Sequence, residues 1–258
     1  MNRQADHQLA HSICAAPERS GVARAVAAAL LLAAAGAIAQ PSPSNCGELT
    51  NGFGPYDYRT ERGNNLNLVE IAHFTPAVEA LIRGNTASHP GQDLDYTLRA
   101  FPNHHRALVS MSRLAERGRK PQPANMRYTA DCWFERAIRF RPEDATARML
   151  FAGYLIRTER KEMASQQLEQ VRNRASDNGF THYNLGLMYL ELKDFDRALE
   201  QAHRADELGF TLPALPERLK AAGKWADRPA RAASAAPAAS EPATAANAAA
   251  AASAAARP

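Results

Sequence analysis

The most constraining feature of this chain is a recurrence of apolar residues every 34 positions between residues 130 and 205. Ala130, Ala164 and Ala198 are evenly spaced at this interval. Two further positions in each copy follow at steps of four and three residues, which places three side chains on one helical stripe. These further positions hold Phe134, Leu168 and Ala202, and then Ala137, Val171 and Ala205. The period predicts stacked helical units that share a continuous core.

A second apolar stripe precedes the last two copies and keeps the same spacing. Phe151-Ala152 and Leu155 align with Leu185-Gly186 and Tyr189. This pattern resembles the tetratricopeptide-repeat (TPR) family, whose first helix carries a large residue, Leu-Gly and Tyr, and whose second helix carries Ala, a bulky residue, Ala and then Pro. The best match is the segment 183–189, followed by Phe195, Ala198 and Ala205, and Pro142 closes the preceding repeat. The resemblance implies an all-α fold in which helix pairs stack into a solenoid.

Counting outward from these repeats gives the expected domain boundaries. The predicted TPR solenoid covers residues 102–225 and holds about three repeats followed by a capping helix, in which Trp225 covers the last apolar edge. A proline-rich insertion of about six residues, 118–123, enlarges the turn of the first repeat. The predicted segments are 102–144, 145–178 and 179–212 for the repeats and 213–225 for the cap.

Residues 40–101 are less regular and are expected to form an N-terminal cap against the first repeat. Residues 66–74 suggest a short extended stretch, and helices are expected at 77–83, after Thr75 as N-cap, and at 93–100. The segments 54–59, 73–76 and 93–102 are similar to those of a group of exported proteobacterial TPR proteins without an established activity. This wider resemblance supports an architecture and names no mechanism.

Both ends of the chain have compositions unlike the centre. Arg19 and Arg24 precede an apolar run, 25–35, that ends in small residues at Ala37 and Ala39. This arrangement predicts a signal peptide at residues 1–39 and export to the periplasm of a Gram-negative bacterium, the alternative being an inner-membrane anchor from an uncleaved signal. At the other end, residues 226–258 contain almost no bulky side chains, which predicts a disordered tail.

The mature chain would keep two cysteines, Cys46 and Cys132. In an oxidising compartment such a pair can form a disulfide that ties the N-terminal segment to a repeat helix. The alternative is two unpaired thiols, with Cys132 buried as a small apolar residue.

Several functional classes find no support in the sequence. Lys and Arg number 31 against 27 Asp and Glu, and they are interleaved, so no nucleic-acid partner is expected. His73 with Glu70 and Glu79, and the pair His104-His105, are the metal-ligand candidates, yet none has a recognised ligand spacing. We therefore predict a protein that is not an enzyme and has no cofactor and no metal. The alternative is a metal-binding or hydrolytic cap domain at residues 46–101 carried on the repeats.

The TPR resemblance also implies where a partner would bind. In such arrays the first helix of each repeat lines a concave face, and here that face combines arginines with apolar residues. It would suit an extended or helical peptide that bears acidic side chains. The alternative is a solvated face whose arginines pair locally with Glu116 or Glu159. The predicted partner-binding residues are Arg106, Val109, Arg113, Arg117, Met149, Arg157, Tyr183 and Leu187. The sequence thus predicts an exported protein–protein interaction module whose partner is not named.

Overall fold

The structure, a computed structural model, describes residues 46–228. The predicted signal peptide and all but the first three residues of the predicted tail lie outside the described residues. Within 46–228 the chain forms ten α-helices and no strand, which confirms the all-α prediction. The helices are α1 (Asn64–His73), α2 (Pro76–Glu79), α3 (Pro90–Ala100), α4 (His105–Gly118), α5 (Ala130–Phe140), α6 (Ala145–Arg157), α7 (Lys161–Arg172), α8 (Gly179–Glu191), α9 (Phe195–Glu207) and α10 (Ala214–Ala221).

The first helix, α1, lies where the sequence predicted an extended stretch. Residues 66–74 were expected to be extended, whereas residues 66–73 form most of α1 and Phe74 is its C-cap. Leu66 and Val69 are buried and Leu68 and Ile71 are exposed, which is a helical separation of faces rather than a strand-like alternation. A short segment of mixed apolar and polar residues does not by its pattern alone distinguish a strand from a helix. The fold of the cap is therefore helical where it was expected to be extended.

The pairs α6–α7 and α8–α9 repeat with the spacing that the sequence predicts. Helices α6 and α8 begin at Ala145 and Gly179, and α7 and α9 begin at Lys161 and Phe195. Both separations equal the period of the apolar stripes. The N-caps match as well: the side chains of Asp144 and Asn178 each accept a bond of 3.0 Å from the backbone N–H three residues later.

The tight turn inside each pair is the same. Glu159 and Lys193 have left-handed φ values of 59° and 61°. The next backbone N–H, of Arg160 and of Asp194, then donates back across the turn to the carbonyls of Leu155 at 2.8 Å and Tyr189 at 2.9 Å. This six-residue closure ends a helix by satisfying one of its free carbonyls. The two pairs are thus equivalent in backbone hydrogen bonding as well as in sequence period.

Helices α4, α6 and α8 lie side by side, because α6 contacts both α4 and α8. After α9 the chain enters α10, which packs on α8 and α9. A side chain at position 186 would force Leu215 or α10 to shift, since an added Cβ would lie 2.4 Å from Cδ2 of the buried Leu215. The absence of a side chain at Gly186 lets α10 approach α8 closely.

The N-terminal segment is attached to α5 by covalent and polar contacts. Cys46 and Cys132 form a disulfide, with sulfur atoms 2.03 Å apart. The buried Arg136 donates from Nη1 to the carbonyls of residues 46, 47 and 48 at 2.9, 3.2 and 2.7 Å, and its guanidinium lies over the rings of Tyr128 and Trp133. Burial lowers the pKa of Arg136, and the three carbonyl dipoles compensate part of the desolvation of its charge.

Candidate partner-binding surface

The predicted partner-binding residues all belong to α4, α6 and α8, the three adjacent helices. Arg113 is exposed and has no ion-pair partner within residues 46–228. Val109, one turn earlier on α4, Met149 on α6 and Leu187 on α8 are partly buried. Met149 and Leu187 pack against the core that surrounds Leu185 and Tyr189. This surface therefore combines one unpaired guanidinium with partly exposed apolar side chains.

Two of the predicted arginines already have partners in the cap. The Nε atom of Arg106 donates to Glu79 at 2.9 Å, a second nitrogen also contacts Glu79, and the guanidinium lies over the ring of Phe74. Arg117 donates to the carbonyl of Leu81 at 3.1 Å. The hydroxyl of Ser110, between them on α4, donates to the carbonyl of Glu79 at 2.9 Å. Residues 79–81 therefore lie along α4 and accept hydrogen bonds from Arg106 and Arg117, two of the side chains predicted to bind a partner.

Arg157 is also paired. Its Nε and Nη2 atoms donate to Oε1 of Glu116 at 3.0 and 2.9 Å, which links α6 to α4. This is one of the local pairings that the sequence analysis kept as an alternative; Glu159 instead contacts Lys161. Nearly half of the Arg157 side chain is exposed, and such pairs typically contribute at most about 1 kcal/mol. A partner carboxylate could therefore replace Glu116 at small cost.

Tyr183 is placed differently from the other residues of the set. It is 7% exposed, and its ring centroid lies 5.3 Å from that of Phe210. Burial raises the pKa of the Tyr183 hydroxyl. While α10 and Phe210 are in place, Tyr183 offers little surface to a partner. The position of Tyr183 on the first helix of a repeat does not predict this burial, because the residues that cover it, Phe210 and α10, belong to the next segment of the chain.

A buried polar junction, which no motif in the sequence predicts, joins the cap to the repeats. Asp57 accepts from Nδ2 of Asn103 at 2.8 Å and from the guanidinium groups of Arg59 and Arg141. The amide of Asn103 also donates to Asp144 at 2.9 Å. Hydrogen bonds from Arg59, Asn103 and Arg141 hold the pKa of Asp57 well below its ordinary value despite its burial. Asp57 thus remains ionised and connects three segments.

His105 completes this junction through Asp144. Its Nε2 atom lies 3.0 and 2.9 Å from the two carboxylate oxygens, and Asp144 also caps α6. Burial alone would raise the pKa of Asp144, but the hydrogen bonds from His105, the Ala147 N–H and Asn103 outweigh it and lower the pKa. An aspartate just before a helix, such as Asp144, is typical of an N-cap. That pattern does not predict the further contacts of Asp144 with Asn103 and His105.

The histidine candidates for a metal site are distributed among separate carboxylates. His73 Nδ1 lies 2.9 Å from the buried Asp93, and His104 Nε2 lies 3.1 Å from Glu70. Glu79 pairs with Arg106 instead. His73, Glu70 and Glu79 therefore do not share a site. Among residues 46–228 there is no group of three or more His, Cys, Asp or Glu side chains that could hold a metal ion.

Comparisons with known proteins returned no match: no protein-family model, no curated protein and no solved structure is similar to this chain. In the described part of the chain, no helix has both the length and the apolar character needed to span a bilayer.

Proposed function

We propose that this chain is an exported, non-enzymatic scaffold of the tetratricopeptide-repeat type that binds a protein or peptide partner through α4, α6 and α8. The observation that carries the proposal is the equivalence of α6–α7 with α8–α9. Both helices of the pair recur at the period of the sequence, and the N-cap and the left-handed turn recur with them. Helix pairs of this period bury a shared core by stacking and leave the surface of their first helices for recognition.

The chemistry of the partner is proposed from the charges that remain unpaired. Arg113 has no carboxylate partner among residues 46–228, and Arg157 pairs at the surface with Glu116 and donates over a longer distance, 3.4 Å, to the Ser112 hydroxyl. Apolar surface of Val109 and Met149 accompanies them. A peptide that presents a carboxylate beside an aliphatic side chain would satisfy both features, because guanidinium groups bind carboxylates through paired hydrogen bonds.

Capture of a free C-terminal carboxylate is not part of this proposal. The clamp known from the TPR family uses lysines and an asparagine from successive repeats, and Asn184 alone stands at a comparable position here. Its Nδ2 atom donates to the carbonyl of Phe180 at 2.8 Å within its own helix. The proposed ligand is therefore an internal acidic segment.

A crosslinking pull-down from the native envelope tests the proposal. The variant Arg113→Glu reverses the unpaired charge and should lose most of the partner recovered with the unaltered chain, whereas Arg113→Lys keeps the charge but not the paired hydrogen bonds and should give an intermediate recovery. Arg174→Glu is the matched control, because Arg174 is an exposed arginine outside α4, α6 and α8. Equal recovery with Arg113→Glu and Arg174→Glu would show that the partner does not use this surface.

Export and the absence of enzymatic activity have separate tests. An alkaline phosphatase fusion after residue 60 should be active if the first residues direct export, and an inactive cytoplasmic fusion would exclude it. Fractionation then separates a released protein from one anchored in the inner membrane. The disulfide agrees with an oxidising compartment. Stoichiometric zinc or iron in the purified protein would overturn the scaffold proposal in favour of a metal-binding cap.

A further inference from the structure

The last turn of α4 and the insertion that follows it carry cationic side chains without a carboxylate partner in the described part of the chain. Arg117, Arg119 and Lys120 are all exposed. Arg117 donates to the carbonyl of Leu81 at 3.1 Å, and this neutral acceptor leaves its charge uncompensated. Arg83 is also exposed and unpaired, and its Cα lies within about 7 Å of that of Leu81, two residues earlier. We call Arg83, Arg117, Arg119 and Lys120 the basic patch.

The backbone that carries two of these side chains is held by hydrogen bonds of the insertion. Arg119 has a left-handed φ of 50°, and the Lys120 N–H then donates back to the carbonyl of Ala115 at 3.3 Å. The carbonyl of Pro121 accepts from the Ala130 N–H at 2.8 Å. The proline-rich insertion therefore attaches Arg119 and Lys120 to the ends of α4 and α5.

The positive charge of the basic patch is not balanced by its surroundings. Residues 80–92 and 117–130 contain no Asp or Glu. Glu116, which precedes the patch on α4, already accepts from Arg157 at 2.9 Å. The C-terminal end of a helix favours cations only within its last turn, and Arg83 belongs to the cap. The like charges therefore repel one another, and a bound polyanion would relieve this repulsion.

Large aliphatic side chains are exposed beside these charges. Ile82, next to Arg83, is 75% exposed, and Ile71 on α1 is 74% exposed. The end of α1 lies beside this segment, because Nδ2 of Asn85 donates to the carbonyl of Ala72 at 2.9 Å. None of the large apolar residues that are exposed within residues 46–228 is aromatic. Single-stranded nucleic acids stack on aromatic rings, whereas a bilayer surface accommodates cationic and aliphatic side chains together.

We propose that this end of the chain binds the surface of an anionic phospholipid membrane, with the basic patch at the headgroups and Ile82 at the hydrocarbon boundary. Interfacial binding combines attraction to anionic lipids with burial of apolar side chains. It requires no spanning helix. The inference does not depend on the proposed function, because binding to vesicles requires neither the peptide partner nor Arg113.

Flotation with lipid vesicles tests the proposal on the protein purified from its native cells. Vesicles of equal parts phosphatidylglycerol and phosphatidylcholine are compared with vesicles of phosphatidylcholine alone. Binding to the anionic vesicles should be tighter by about 600-fold, which is about fivefold for each of the four cations. It should weaken as the salt concentration rises, because salt screens exposed charges. Equal binding to the two kinds of vesicle would overturn the proposal.

Charge removal then locates the binding surface. Arg119→Gln combined with Lys120→Gln should weaken binding to the anionic vesicles by about 25-fold. The matched control is Arg174→Gln combined with Arg218→Gln, which removes two exposed charges from other helix ends and faces and should have little effect. All variants share residues 1–45 and 229–258, so any binding by those ranges is the same in each. Equal losses for the two pairs would overturn the assignment to the basic patch.

Two further outcomes separate a membrane from other partners. Ile82→Ala should weaken binding to the anionic vesicles by about tenfold, because aliphatic carbon leaves the hydrocarbon boundary. Unchanged binding of this variant would overturn the apolar part of the proposal. Undiminished vesicle binding by the Arg119→Gln and Lys120→Gln variant, together with loss of a crosslinked protein from the envelope pull-down, would instead assign the basic patch to an acidic protein.

Discussion

Replacing both Cys46 and Cys132 by serine should lower the free energy of unfolding by about 4.6 kcal/mol at about 25 °C. The disulfide closes a loop with a sequence separation of 86 residues, and the chain-entropy relation gives about 4.6 kcal/mol for a loop of that length. The stabilisation arises because the crosslink removes conformations from the unfolded chain. For a domain of this size the loss corresponds to a fall of about 9–18 °C in melting temperature.

Equilibrium urea unfolding, followed by circular dichroism, measures this difference. The oxidised chain, the double variant and the chain reduced with dithiothreitol are compared, and the last two should agree. The m-value should rise when the disulfide is absent, because the unfolded chain without the crosslink exposes more surface. The single variants Cys46→Ser and Cys132→Ser are the controls, since each removes the crosslink by changing one residue, and both should match the double variant.

A loss below about 2 kcal/mol would refute the entropic reasoning, because the loop length alone predicts more than twice that value. An unchanged m-value together with a small loss would indicate that the unfolded chain keeps its N-terminal segment near α5 without the crosslink. Residual structure of this kind changes the unfolded reference rather than the folded contacts. The m-value therefore shows whether the disulfide changes the compactness of the unfolded chain.

Three further perturbations have defined outcomes. Asp57→Ala removes the shared acceptor of the buried junction and should cost about 1–3 kcal/mol in urea unfolding, because the buried Asn103 loses an acceptor, while Arg59 keeps Glu143 as a partner; a cost below about 0.5 kcal/mol would contradict the assigned role. Gly186→Ala should cost about 1–3 kcal/mol through overlap with Leu215, and an equal or higher urea midpoint would show that α10 adjusts freely. Burial lowers the pKa of His104 below its ordinary value. As the pH falls through about 6.5, this histidine therefore takes up a proton in the unfolded chain but not in the folded chain. The free energy of unfolding should decrease below that pH as a result. The same pH series with His104→Asn should show a smaller decrease; an identical slope would mean that His104 is not the group responsible.

For the helix pairs within residues 145–207, the apolar period predicted the two starting points: α6 and α8 begin at Ala145 and Gly179, the first residues of the expected repeats. Each unit buries the same stripe against the next, so the same residue types recur at a fixed spacing. The caps follow the same period, because Asp144 and Asn178 each satisfy the first free N–H groups of a helix. Periodic packing leaves a periodic record in the sequence, and the left-handed turns at Glu159 and Lys193 recur at the same spacing in the backbone, although their residue types differ.

The candidate site was less predictable because its limits are set by segments that do not repeat. Nothing in the pattern of α4 indicates that residues 79–81 hold Arg106 and Arg117, since each contact occurs once and joins the cap to the first repeat. The burial of Tyr183 likewise comes from Phe210 and α10, beyond the repeat that contains it. The position of a residue in the repeat therefore predicts that it belongs to the shared surface. Whether its side chain is accessible to a partner depends on the segments that cover each end of the stack. This is why Arg113, which neither cap reaches, is the residue on which the partner proposal depends.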